Sequence, residues 1–136
     1  MATIVLADGC SGRKSQPEAV QLPAEEIPAS EAVLVTPTKE INAEIARRGE
    51  SLFQSKGCIG CHTVGGGRLT GPDLQEVTER RSLDWFVAMV INPDSMLGED
   101  PAARELFAEY MTPMMDLGLS ADEAASLYEY LRRESQ

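Results

Sequence analysis

Histidine is almost missing from this chain: its 136 residues include one, His62. Three cysteines are too few for the disulfide framework of a small secreted domain. Aromatic residues make up only 5% of the chain, which leaves little to build a core from. No apolar run reaches the roughly 18 residues that a membrane-crossing helix needs. Basic residues are scarce as well, 12 against 22 acidic ones for a net charge of -10, and no basic cluster is available to meet nucleic-acid phosphates. The length fits one domain at most.

Against this background one stretch stands out, Cys58-Ile59-Gly60-Cys61-His62. Two thiols with this spacing reach the two vinyl groups along one porphyrin edge, and the histidine directly after them can ligate the iron from one face. C-x-x-C-H is a c-type haem attachment signature. Zinc would need two further ligands, and only Cys10 remains. A thioredoxin-like site would sit among alternating strands and helices, a pattern not found here. One covalent haem c, held by Cys58 and Cys61, is therefore expected. Its flat apolar surface would relieve the aromatic shortage, so the chain should fold poorly without it.

Organisation along the chain divides it into residues 1–37, a leader, tether or wrapping arm, and 38–136, the domain. Pro17, Pro23, Pro28 and Pro37 keep the arm extended. Within it, Leu6-Ala7-Asp8-Gly9-Cys10 is similar to the end of a bacterial lipoprotein signal, which makes Cys10 a candidate membrane tether. Val33-Leu34-Val35 is its one apolar patch in the second half. Thr38 is a candidate cap for a first helix carrying Ile41, Ile45, Leu52 and Phe53, with Gly49 as a place of close helix approach and an end near Gly57. A glycine-rich loop follows over Thr63 to Pro72, then a short helix within Asp73 to Arg81. Ser82 caps an amphipathic helix that Asn92-Pro93 ends; Asp94 to Asp100 reads as loop. Pro101 opens a helix to about Tyr110, Met111 to Leu119 is loop, and Ser120-Ala121-Asp122-Glu123 is a capping box for the last helix. The fold expected is all-α, four or five helices around one haem.

These residues together resemble a class I monohaem cytochrome c over roughly Ile41 to Arg133. Gly49 and Phe53 match the family's first-helix crossing pair, and Leu127 and Tyr130 the last-helix pair. Thr70-Gly71-Pro72-Asp73-Leu74 is similar to the segment whose proline carbonyl accepts a hydrogen bond from the ligand histidine. A methionine loop before Leu119-Ser120-Ala121-Asp122-Glu123 completes the order. The resemblance implies His62 and a methionine as axial ligands, with Pro72 orienting His62. Met114 is favoured, Met111 and Met115 being the alternatives, while Met89 and Met96 read as packing. It further implies Trp85 as a donor to a haem propionate; Arg80 and Arg81 lie just before it in sequence, and one of them, Arg81 by preference, is expected to pair with a propionate.

Function follows as one-electron transfer in a respiratory chain, by a monomer in the periplasm or at the outer face of the cytoplasmic membrane. Partners would be redox proteins such as a membrane oxidase or reductase or a quinol-oxidising complex. The chain lacks the lysine ring of mitochondrial-type relatives, with Lys56 alone in the matched region, so a basic or apolar partner is expected. Two alternatives remain open: a redox subunit of a larger complex, and a haem enzyme or gas binder with a labile sixth ligand. Nothing near the methionine loop except Asp116 suggests proton-transfer chemistry.

Overall fold

The structure, a computed structural model, describes residues 39–136. The arm, Cys10 and Thr38 lie outside the described residues. Within them the chain is all-helical: α1 (Ala43–Ser55), α2 (Val77–Arg80), α3 (Leu83–Ile91), α4 (Pro93–Glu99), α5 (Pro101–Tyr110) and α6 (Ala121–Glu134), with a 3-10 turn at Cys58–Gly60. No described helix is long and apolar enough to cross a membrane.

Two boundaries differ from the sequence expectation. The first helix is capped by Asn42, whose side-chain oxygen accepts from the Glu44 and Ile45 amides at 3.0 and 3.2 Å. The stretch Asp94 to Asp100 lies mostly in helix α4 instead of a loop, raising the count to six. Asn92-Pro93 reads as a stop because proline cannot continue a helix. Proline at the first helical position is nevertheless well suited to start one. Asn92 ends α3 and at the same time caps α4 through the Ser95 amide, and Asp100 with Pro101 repeats the device for α5.

The organising contact is α1 crossing α6. A Cβ placed on Gly49 would run into the Ser126 backbone carbonyl and lie 2.8 Å from Tyr130 Cβ, so only glycine permits this approach. One turn along, Phe53 packs on Tyr130 with ring centroids 5.5 Å apart. Leu127 and Leu131 are buried beneath them with Ala46 and Ala124. Each large apolar side chain so buried contributes about 1.5–3 kcal/mol.

The remaining helices attach to α6. Phe86 of α3 meets Tyr128 edge-on at 5.4 Å, and the Tyr128 hydroxyl is shared between the carbonyls of Thr78 and Arg81. Glu129, buried at 3% exposure, accepts from the Asn42 amide and from Arg132, which ties the entry of α1 to α6. The capping box is present as expected, Ser120 and Glu123 exchanging hydrogen bonds at the start of α6.

Gly49→Ala weighs two effects against each other. Alanine gains about 1 kcal/mol in helix propensity, while overpacking costs about 1–3 kcal/mol and more against immovable backbone. The steric cost should win, lowering the denaturant midpoint of the holoprotein by an amount worth about 1–2 kcal/mol. An unchanged midpoint would show that the crossing has room for a methyl group.

Candidate functional site

α1 stops because Gly57 takes a left-handed conformation at φ 78°, where the missing Cβ removes the penalty. The chain then closes the tight turn at Cys58–Gly60, and the Cys61 and His62 amides both bond the Cys58 carbonyl. This turn delivers Cys58, Cys61 and His62 to one wall of a cavity. His62 Nδ1 lies 2.9 Å from the Pro72 carbonyl, which makes Nδ1 the donor and leaves Nε2 as the ring's free lone pair. Burial pushes the His62 pKa below its ordinary value, partly opposed by that hydrogen bond, so the ring is neutral and able to ligate at pH 7. Burial also pushes the Cys58 thiol up. A Cβ on Gly71 would come within 2.6 Å of His62 Cε1, so the imidazole is seated directly against a glycine backbone.

Asp73 holds the loop between His62 and Pro72 in shape. Its carboxylate accepts from the amides of Gly65 (2.8 Å), Gly67 (2.6 Å) and Gln75 (2.9 Å). These bonds, the Gln75 amide first, lower its pKa to about 2. The loop backbone is thereby satisfied without helix or strand.

The cavity measures about 360 Å³. Its floor is core: Phe53, Val77, Phe86, Val90, Leu127 and Leu131. Trp85 and Arg81 line one side, the guanidinium stacked 4.5 Å from the indole centroid. Trp85 Nε1 is buried with no hydrogen-bond partner, an arrangement that costs roughly 1–3 kcal/mol unless something outside the chain accepts from it. Asp100 is near enough for the indole to help the Ala103 amide lower its pKa, yet no hydrogen bond forms between carboxylate and indole.

The 112–119 loop brings Met114 and Met115 to the lining of the same cavity. Met114 is half-buried and packs on the core, whereas Met115 is 71% exposed and Met111, 73% exposed, is not part of the lining. Met89, read from the sequence as packing, also forms part of the wall. A cavity with two thiols and an oriented imidazole at one wall, thioethers at another and an orphaned N–H beside an arginine fits a haem with its propionates. The residue types suit the group's edge, iron and acids in turn.

The sequence profile of the cytochrome c family matches residues 46–134. The chain belongs to the cytochrome c family. Members of that family carry covalently bound haem c and transfer electrons with it. Among solved structures, cytochrome c from Rhodothermus marinus is 36% identical, with a TM-score of 0.70, covering 74% of this chain and 85% of that one. An engineered Rhodothermus marinus cytochrome c, Rma TDE, is 35% identical (TM-score 0.69; 74% and 86% covered). The same engineered protein bound to a carbene intermediate, 1-ethoxy-1-oxopropan-2-ylidene, is 34% identical (TM-score 0.66; 74% and 86% covered). No curated protein sequence matches the chain.

In this cytochrome c the structure brings Cys58, Cys61, His62, Pro72, Arg81, Trp85 and Met114 to one cavity. Sequence reasoning missed Asp73 as the loop's organiser and Arg68, which reaches from the same loop to α5. The first carries a legible signal: three glycines followed by an aspartate leave amides in search of an acceptor.

Asp73→Ala should destabilise the holoprotein at pH 7 by about 1 kcal/mol, allowing for solvent around the carboxylate. Its folded pKa is depressed, so its contribution is present above the ordinary 3.8 and is lost as pH falls through about 2. Urea unfolding of the two proteins should therefore differ at pH 7 and converge towards pH 2. A difference independent of pH would assign the effect to packing instead.

Proposed function

We propose that the protein is a one-electron carrier of a respiratory chain, with a single haem bound through Cys58 and Cys61 and ligated by His62 and Met114. The observation that carries this is the placement of His62 and Met114 among the residues of one cavity, with His62 already oriented by Pro72. When bound, the haem supplies an iron that gains and loses one electron. The chain's own residues do the rest. Pro72 holds the imidazole and raises its basicity. Met114 would offer a thioether to the iron, which would favour the reduced state and raise the potential. Arg81 would neutralise the haem's acid groups, Trp85 Nε1 would donate to one of them, and the apolar floor would keep water from the metal.

The distribution of charge supports a particular kind of partner. Between Ser82 and Leu131 the chain has ten acidic residues and one basic residue, Arg104. Six of the ten, with Arg104, fall in residues 93–119, which form α4, α5 and the methionine loop, so the methionine side of the cavity is net negative. A redox protein with a basic rim would be steered to that side, and the association rate should fall with salt. Such a partner, an oxidase, reductase or quinol-oxidising complex, belongs to the outer face of an energy-transducing membrane, where covalent haem is installed. Cys10 offers a tether there, to be tested by mass spectrometry of the native N-terminus.

Visible spectra of the holoprotein test the axial pair. Wild type should show low-spin haem with the weak long-wavelength ferric band of methionine ligation, unmoved by carbon monoxide when reduced. Met114→Ala should lose that band and bind carbon monoxide, whereas Met111→Ala and Met115→Ala should behave as wild type. A wild type that binds carbon monoxide at once would replace the carrier reading with gas binding or catalysis.

A further inference from the structure

We infer that Arg68 is a positioning residue for the methionine loop: from the histidine side of the cavity it caps the end of α5 and holds the loop beyond it. This rests on the reading of Met114 as axial ligand.

Arg68 belongs to the loop between His62 and Pro72, yet its guanidinium is spent on α5. One nitrogen donates to the Glu109 carbonyl at 2.8 Å, another to the Glu109 carboxylate at 3.3 Å, and the group lies 4.2 Å from the Tyr110 ring centroid. The last carbonyls of a helix have no partner within it, and cations are favoured there by the helix dipole. α5 has no basic residue in its own last turn. The Met111 N–H bonds the Phe107 carbonyl, and Arg68 adds from 41 residues away the cation that the helix end lacks.

The segment after α5 makes that cap consequential. Met111 adopts φ 52°, a left-handed conformation without glycine that costs about 1–2 kcal/mol. Among the described residues, the stretch 112–119 makes one hydrogen bond of its own, Gly118 N–H to the Asp116 carboxylate. Its course is therefore set mainly by its ends. The α6 end is secured by buried Leu119 and the capping box. The α5 end has α4 as its main helix partner and is joined to the histidine side through Arg68. An exposed Arg–Glu pair alone is worth little; the carbonyl bond and the ring stacking are what make this one a staple.

Removing the staple should free the sixth position while leaving the α1–α6 core intact. In holo Arg68→Ala, carbon monoxide should combine with the ferrous protein about tenfold faster than in wild type. The long-wavelength ferric band should weaken, with the unfolding midpoint little changed. Arg68→Lys, which keeps a cation near the helix end but cannot bridge and stack, should fall between the two. Arg104→Ala, removing another α5 cation that bonds the Gly98 carbonyl, should behave as wild type. Wild-type rates and band in Arg68→Ala, or an Arg104→Ala effect as large as that of Arg68→Ala, would overturn the inference. Should Arg68→Ala yield no holoprotein, Tyr110→Leu decides: faster carbon monoxide binding supports the staple, and a wild-type rate overturns it. Failure of the axial reading is separately visible, because wild type itself would then lack the methionine band.

Discussion

Gly49 lies against the backbone of α6, and the closeness of that crossing sets the position of everything downstream. With no Cβ in the way, α1 approaches the Ser126 carbonyl directly, and Phe53 one turn later seats on Tyr130. Because α1 runs straight into the Cys58–Gly60 turn, the same crossing determines where the two thiols and His62 are delivered. A small domain with few aromatics cannot anchor such a motif by bulk. It does so by bringing two helix backbones together and letting Leu127, Leu131 and Phe53 fill the space around them.

The two sides of the cavity are held by different physics. The histidine side is a loop made rigid by polar bonds: Asp73 collects three amides, Pro72 accepts from His62, and Gly71 leaves room for the ring against the chain. Such an arrangement suits a ligand that must not rotate. The methionine side has a single internal bond and a turn in a costly conformation, and it depends on its ends. Relatives from Rhodothermus marinus share this overall fold, and one engineered form was captured with a carbene intermediate.

Charge acts at a longer range. From Ser82 to Leu131 ten acidic residues stand against one basic residue, while Arg68, Arg80 and Arg81 belong to the segment before it. Arg68 links the two halves, and Arg81 stacks on the one tryptophan beside an N–H with no protein acceptor. Arg68 and Arg81 are thus engaged with aromatic rings and backbone beside the cavity, and the stretch of α4, α5 and the methionine loop is left net negative.

Much of this was legible in residue order alone. C-x-x-C-H carries its own chemistry because thiol spacing and an adjacent imidazole are local facts, and helices opened by Ser82, Pro101 and Ser120 are local too, since caps act within one turn. Helix α4 was not legible, because Asn92-Pro93 satisfies the rules for ending one helix and for starting the next. The sequence by itself determined the cofactor chemistry and the all-helical class, both properties of neighbours along the chain. Only the tertiary structure decided that Met114 lines the cavity while Met111 does not, that Trp85 Nε1 is left without a partner, and that Arg68 closes α5. Each of these depends on which groups meet across tens of residues, and that is set by how the helices pack.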